Sequence, residues 1–198
     1  MTPSAALGFA KRHPDVILST TSKGDMLDPA EWGAILSAPD AEGGSAYRYM
    51  LWRILDVTLP LLVVIMLNPS TATHDATDRT VDGLMRRAAR MGYGGVLVVN
   101  CFSYRAREPG DMKKATDPIG PLNDDAIEMA LHEELDLLCA WGANATHRQR
   151  EEQVKCAITR GRCRPHYLRL CASGAPEHPL YIPSDLGLKP WHVRCQDA

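Results

Sequence analysis

The stretch from Leu61 to Ala72, LLVVIMLNPSTA, is the strongest structural signal in the sequence, because an uninterrupted apolar run stops abruptly at Asn-Pro-Ser-Thr. Its first six residues do not alternate with polar ones, which is typical of a strand buried on both faces in a parallel sheet. Pro69 ends the strand because it has no N–H to donate and favours an extended Asn68. Ligands of open α/β sheets bind at the carboxyl ends of such strands. The sequence therefore predicts a binding site at Asn68-Pro69, with Ser70 and Thr71 as further donors.

The composition of the whole chain predicts a soluble globular protein. It has 198 residues, of which 45% are hydrophobic and 23% are charged. No apolar run approaches the ~20 residues of a membrane span, and charged residues occupy the N-terminal stretch where a signal peptide needs apolar ones. We therefore expect a cytoplasmic protein, with an irregular arm over residues 1–44 and a single α/β domain over residues 45–198. Within the arm, Pro29 favours a short helix around residues 29–37.

The cysteine pattern argues against a metal centre. The six cysteines form no C-x-x-C pair, so a zinc ribbon or a compact iron–sulfur site is not expected. Cys101, Cys139 and Cys171 lie in or beside apolar runs, which favours buried reduced thiols. A site built from His178, His166, His74 and Asp75 lacks the spacing of metal ligands. We predict neither a metal nor another cofactor.

Strand and helix patterns alternate along the rest of the chain. Strands are predicted over residues 46–55 (an edge strand), 61–66, 96–100, 135–141 and 166–171, and helices over residues 78–91, from Asn123 as a cap, and over 144–159. This order predicts a three-layer α/β/α fold with a mainly parallel central sheet.

Each predicted parallel strand is followed by a polar or glycine-containing signal. These signals are Asn68-Pro69, Asn100, Trp141-Gly142 and, beyond the last strand, His178-Pro179. Because the carboxyl ends of parallel strands meet at one edge of a sheet, we expect these residues to line a single cleft.

The same motifs, in the same order, carry a resemblance. The segments LNPSTA, VLVVNCFSYRA, AWGANA and HPLY resemble the ordered motifs of the uracil-DNA glycosylase superfamily. More specifically, about residues 46–182 are similar to the DUF1643 family of uncharacterised bacterial and phage proteins. The resemblance implies a uracil-DNA glycosylase-like fold and hydrolysis of the N-glycosidic bond of a damaged or modified base in DNA, or of a nucleotide.

The resemblance also implies a role for individual residues. Asn68 stands where the glycosylases position the attacking water, Asn100 where some of them recognise the edge of the base, and His178 where they stabilise the departing base. Two departures matter. An amide does not titrate, so Asn68 is not a general base, and Leu180 replaces the serine that contacts a DNA phosphate. Phe102 and Tyr104 are the candidates for stacking on the base.

Purely structural roles stay open for several of these residues. Asn68 is also suited to fixing its turn, and Trp141-Gly142 to core packing beside a tight turn. The alternative function is a binding module that keeps the fold and recognises nucleic acid or a nucleotide without hydrolysis. Arg105 and Arg107 are candidates for phosphate contacts, as is the segment of residues 145–170, with seven basic and two acidic residues. Four further arginines on the helix predicted over residues 78–91 suit a solvated face.

Overall fold

The structure is a computed structural model that describes residues 3–24, 29–39 and 44–195. The helices are α1 (Pro3–Arg12), α2 (Arg79–Arg90), α3 (Pro109–Lys114), α4 (Asn123–Leu131) and α5 (Arg150–Arg160), with short 3-10 helices at Ala143–Gln149 and Pro179–Tyr181. The strands are β1 (Val16–Gly24), β2 (Pro29–Ser37), β3 (Arg48–Ile54), β4 (Leu61–Met66), β5 (Gly95–Asn100), β6 (Asp136–Cys139), β7 (Arg164–Tyr167) and β8 (Lys189–Pro190).

All eight strands form one mixed sheet in the order β1-β2-β3-β5-β4-β6-β7-β8. The four central strands β5, β4, β6 and β7 are parallel, as predicted. The prediction of a mainly parallel sheet is wrong, because the other four strand pairs are antiparallel. Parallel pairing needs a crossover connection of a dozen or more residues, and the chain between β1 and β2 and between β2 and β3 is too short for one.

The prediction for residues 1–44 is also wrong in its detail. Helix α1 precedes two strands there, and residues 29–37 form β2 instead of a helix. β2 pairs with β3, so the strand predicted at an edge lies inside the sheet with all its residues buried. Long-range pairing has overridden the local helix signal at Pro29. The predicted arm also includes residues 1–2, 25–28 and 40–43, which lie outside the described residues.

Helices cover both faces of the sheet and divide the core into two clusters. On the face that we call the α2 side, Val81, Leu84 and Ala88 of α2 pack against Val64 and Val98. On the opposite face, the α4–α5 side, the apolar residues of α4 and α5 pack on alternate residues of the same strands, which include Val63 and Val99. At the carboxyl ends of β4 and β5, the two faces of the sheet therefore have different surroundings.

The described cysteines comprise free thiols and one disulfide. Cys101 and Cys139 are buried free thiols, as predicted, and Cys171 is a half-buried one. Cys156 and Cys195 form a disulfide, which the sequence did not suggest.

None of the helices in the described ranges is both long and apolar enough to cross a membrane.

Candidate functional site at the carboxyl edge

The parallel ladder continues past the strands and brings the predicted strand-end motifs to one edge. Backbone amides of Cys101 and Phe102 donate to the carbonyl oxygens of Met66 and Leu67, each at 2.9 Å. On the other side of β4, the Ala140 amide donates to the Ile65 oxygen at 2.8 Å. The motifs that follow β4, β5 and β6 therefore start side by side.

Asn68 is held in one orientation by its amide group. Its Nδ2 donates to the carbonyl oxygens of Pro69 at 3.0 Å and of Ala106 at 2.8 Å. The backbone adds a bond from the Ala106 amide to the Pro69 oxygen at 3.0 Å. Because both partners are acceptors, the nitrogen must face them, which leaves the Asn68 oxygen as the atom available to accept a hydrogen bond. The turn is thus fixed by Asn68 and joined to residue 106.

Asn100, the last residue of β5, has the most unusual side chain of this edge. It is 1% exposed, and neither its Nδ2 nor its Oδ1 has a hydrogen-bond partner among the described residues. Strand alternation places it on the α2 side, with Val98 two residues earlier and with its register partner Met66. An amide left unpaired in this way costs about 1–3 kcal/mol for each unsatisfied group. Such a cost is expected where a ligand completes the hydrogen bonds.

Two buried arginines of β3 belong to the same face. Arg48 donates to the Ala72 oxygen at 2.7 Å, and Arg53 donates to the oxygens of Thr73 and Ala76, so both hold the segment after Thr71 by its backbone. Burial lowers the pKa of Arg48 to about 9 and that of Arg53 to about 10, so both are cationic at pH 7. The Nε atoms of both arginines are buried without a partner among the described residues.

These two arginines were not among the site residues predicted from the sequence. Their signal is present, since a fully buried arginine is rare and these two interrupt the apolar run AYRYMLWRIL. A charge inside a strand was compatible with an edge strand, which is how the run was interpreted. Inside a sheet, the same charge requires carbonyl partners or a ligand.

His178 lies beside this segment and is held by the backbone of its own loop. Its Nδ1 accepts the Leu180 N–H at 3.3 Å, so in the neutral ring the proton is on Nε2. Burial lowers the pKa of His178 below its ordinary value of 6.5, and the negative charge of Asp78 opposes this only in part. Asp78 itself caps α2 by accepting the Val81 N–H at 2.9 Å, as the sequence suggested.

The Trp141-Gly142 turn approaches the loop that carries His178. The Gly142 N–H donates to the Pro176 oxygen at 2.7 Å, and its φ of 69° lies in the left-handed region that favours glycine. The Trp141 ring, however, is in the core on the α4–α5 side, where it packs against Trp191 at 5.7 Å and donates to Glu151 at 3.4 Å. Trp141 therefore packs in the core beside a tight turn, as its purely structural interpretation predicted.

The aromatic candidates for base stacking also lie on the α4–α5 side. Phe102 is fully buried in that cluster, with its ring 5.8 Å from His147, and Tyr104 packs at the edge of the cluster against Tyr47. Asn123, predicted as a helix cap, is instead buried within the first turn of α4. It donates to the carbonyl oxygens of Asn100 and Cys101 at 3.0 and 2.9 Å.

Apart from Pro69, the remaining predicted contacts are half-buried or exposed. Ser70 is half-buried and Thr71 is exposed, while Pro69 is buried. Arg105 is half-buried and donates to the Ser45 oxygen at 3.3 Å, and Arg107 is exposed.

The basic segment of residues 145–170 is largely paired within the protein. Arg150 is buried against Asp124 and the Cys101 oxygen, and Arg164 pairs with Asp136. Further pairs are Lys155 with Glu151 and Glu152, Arg160 with Glu128, and Arg169 with Glu177, while Arg148 donates to the Thr116 oxygen. The sequence count therefore overstated how many basic side chains of this segment are available for a ligand.

The structure thus joins the predicted residues in two groups. Asn68 is linked to the backbone between Arg105 and Arg107, whereas His178 is linked to Asp78 and lies near Gly142. Asn100 ends the strand next to the one that Asn68 follows.

The family model for DUF1643, a protein family of unknown function, matches residues 48–180 of the sequence. The chain belongs to the DUF1643 family. No curated protein and no solved structure matches the chain. The DUF1643 match begins at Arg48 and extends past His178, so it contains every candidate residue discussed above and strands β3 to β7. The antiparallel strands β1, β2 and β8 lie outside it.

Proposed function

We propose that this protein binds a nucleobase on the α2 side of the carboxyl edge and hydrolyses its N-glycosidic bond. The buried, unpartnered side chain of Asn100 carries the proposal. A carboxamide presents a donor and an acceptor side by side, and the edge of a base presents the complementary pair. A base that replaces the missing partners would recover the cost of leaving this amide unpaired.

The fold that goes with this proposal is a uracil-DNA glycosylase-like one. Three of the four motifs that carry the resemblance directly follow or end parallel strands: Asn68-Pro69 after β4, Asn100 in β5 and Trp141-Gly142 after β6. His178-Pro179 follows β7 after a longer connection and opens the 3-10 helix Pro179–Tyr181. This order supports the superfamily fold but is shared by α/β proteins of other functions.

His178 suits the stabilisation of a departing base. Breaking an N-glycosidic bond builds positive charge on the sugar and negative charge on the base. The lowered pKa keeps the ring neutral at pH 7, and the Leu180 N–H occupies Nδ1, so Nε2–H is the group left to donate. Removing a donor to a developing anion typically costs about 3 kcal/mol of transition-state stabilisation.

Asn68 suits the positioning of the attacking water. Its nitrogen is fixed by two carbonyl oxygens, so its oxygen has a defined direction in which to accept a water O–H. The amide does not take the proton of that water. In this mechanism the sugar cation forms first, and the water is captured with the proton leaving to solvent.

The test is a base-release assay on DNA that carries uracil, hypoxanthine, mismatched or phage-type modified bases. We expect one of these substrates to yield free base and an abasic site. His178→Gln and Asn100→Leu should each lower the rate about 100-fold with the fold intact, as judged by circular dichroism. Absence of base release from every substrate would reject hydrolysis.

One observation favours a second candidate, a binding module without hydrolysis. Asn68 uses both amide hydrogens to fix its turn and has no titratable group, which is what a structural residue needs. This candidate predicts binding that depends on Asn100 but releases no base. Equilibrium binding measured alongside base release separates the two functions.

A further inference from the structure

The helix α2 carries an arginine face that the sequence suggested was merely solvated. Arg79, Arg86, Arg87 and Arg90 follow the helical spacing that places residues on one side of a helix. They line a surface groove of about 360 Å³, whose other wall includes Pro179 and Ser184. None of the described residues that line this groove is a carboxylate.

The far wall of the groove is fixed by Arg87. This arginine is 4% exposed and donates to the carbonyl oxygens of Ile182, Pro183, Ser184 and Leu186, at 2.6 to 3.2 Å. The segment after the 3-10 helix is thereby held against α2. Arg87 is a structural arginine, and the groove does not depend on a ligand for its shape.

The other three arginines are available for a partner. Arg79 is exposed and has no hydrogen bond or ion pair among the described residues, and Arg90 is exposed beyond its bond to the Ser184 oxygen. Arg86 pairs with Asp82 one turn away, but both side chains are largely exposed, and such pairs contribute little. A stronger anion can therefore replace Asp82 at low cost.

The charge of this groove differs from that of three other cavities among the described residues. The cavity between α1 and α4, about 740 Å³, mixes basic and acidic side chains such as Arg12 and Glu128. The cavity between α4 and α5 also mixes them, with Asp124 beside Arg150. Among the described cavities with charged linings, the α2 groove is the one whose charged residues all have the same sign.

The groove starts at the proposed base site. Arg79 directly follows Asp78, which affects the pKa of His178, and Pro179 directly follows His178. From Arg79 to Arg90 the helix rises about 16 Å, at ~1.5 Å per residue. In a DNA duplex, where each strand has one phosphate per ~3.4 Å of helix axis, this length corresponds to about five nucleotides of one strand.

We propose that the α2 groove binds the phosphate backbone of the nucleic-acid strand whose base enters the site. The inference rests on the proposed function and sharpens it, since it makes the substrate a polynucleotide instead of a free nucleotide. It also moves the phosphate contacts from the basic segment of residues 145–170 to α2.

The experiment compares two triple variants of equal charge. Arg79→Gln/Arg86→Gln/Arg90→Gln removes the three exposed arginines of the groove and keeps Arg87. The control, Arg12→Gln/Arg160→Gln/Arg162→Gln, removes three exposed arginines that lie elsewhere. Binding of an undamaged single-stranded oligonucleotide is measured by fluorescence anisotropy between roughly 50 and 200 mM salt, the range over which such contacts weaken steeply.

We expect the groove variant to lose about 2 from the slope of log K against log salt, since each phosphate contact contributes ~0.7. If the two proteins bind equally at about 1 M salt, that loss makes the groove variant bind about 100-fold more weakly than the wild type at about 0.1 M salt. The control variant should bind as the wild type does. Equal binding by the groove variant and the wild type, a greater loss in the control variant, or no oligonucleotide binding by the wild type would overturn the inference.

The outcome is separable from that of the proposed function because an undamaged oligonucleotide releases no base. If the groove variant loses binding and no substrate releases a base, phosphate binding by the groove is supported. In that case only the proposed hydrolysis is rejected. Base release that is equally fast from a free nucleoside and from DNA in all three proteins rejects the groove alone.

Discussion

The two faces of the sheet differ most where β4 and β5 end. On the α4–α5 side, Asn123 and Trp141 are buried with partners for their side-chain nitrogens. On the α2 side, Asn100 is equally buried but its amide has no partner among the described residues. Two asparagines on adjacent elements, both less than 2% exposed, thus differ in their hydrogen bonds. The Asn123 nitrogen has two acceptors and its oxygen has no partner, whereas neither polar atom of the Asn100 side chain has a partner among the described residues.

Under the proposed function, the α4–α5 side of this edge is structural and the α2 side binds the ligand. Side chains on the α4–α5 side complete the core, and their loss should lower stability. Polar groups on the α2 side are kept buried at a cost, and their loss should lower ligand binding while leaving stability nearly unchanged.

The largest effect is expected from Trp141. Replacing it by Ala removes a fully buried ring that packs against Trp191, so the free energy of unfolding should fall by about 3–5 kcal/mol. Urea denaturation measures this change. Tyr181→Ala, at a ring that is 71% exposed, is the control and should stay within about 0.5 kcal/mol. A near-neutral Trp141→Ala would mean that this ring is a ligand contact and not a core residue.

A smaller loss is expected from Asn68→Asp, at the turn between the two faces. The carboxylate would face the carbonyl oxygens of Pro69 and Ala106, which now accept from the amide, so stability should fall by about 1–3 kcal/mol at pH 8. At pH 4 the protonated acid can donate to one of them, so the loss should be smaller. Thermal denaturation of both proteins at the two pH values tests this. An equal loss at both pH values would contradict the assigned amide orientation.

The smallest effect concerns the pH dependence of stability at His178. Its folded pKa is below 6.5, so as pH falls through about 6.5 the unfolded chain takes up a proton before the folded one does. The stabilising effect of the neutral ring is therefore complete above that pH and lost below it. His178→Gln should show a flatter stability profile than the wild type as pH falls below about 6.5. A profile that is equally steep in both proteins would contradict burial of a neutral imidazole.

Much of the parallel core was predictable because its signals are local. The runs that form β4 and β5 are short, apolar and unalternating, and each stops at an asparagine. Asp78 was recognisable as the cap of α2 from the helix start alone. The antiparallel strands β1 and β2 were not, because their stability comes from pairing with β3 and not from their own pattern.

The sequence was enough to place the site residues at one sheet edge, but not to predict which groups their side chains contact. Asn68, Asn100 and His178 could be placed near one sheet edge from strand order. Which face each side chain occupies depends on the exact register, so Phe102 and Trp141 were grouped with Asn100 although they lie on the other face. The pairing of the basic segment and the freedom of the α2 arginines depend on neighbours that are distant in sequence.

Comparing Asn100→Leu with Asn123→Leu tests whether the buried Asn100 amide binds a ligand. For each variant the free energy of unfolding and the binding of a base-containing oligonucleotide are measured together. We predict that Asn100→Leu is as stable as the wild type, or more stable, and loses at least about 100-fold in base-specific binding or release. Asn123→Leu should lose about 2 kcal/mol of stability with its two hydrogen bonds. The opposite pattern for Asn100→Leu, with stability lost and base-specific binding retained, would contradict the account.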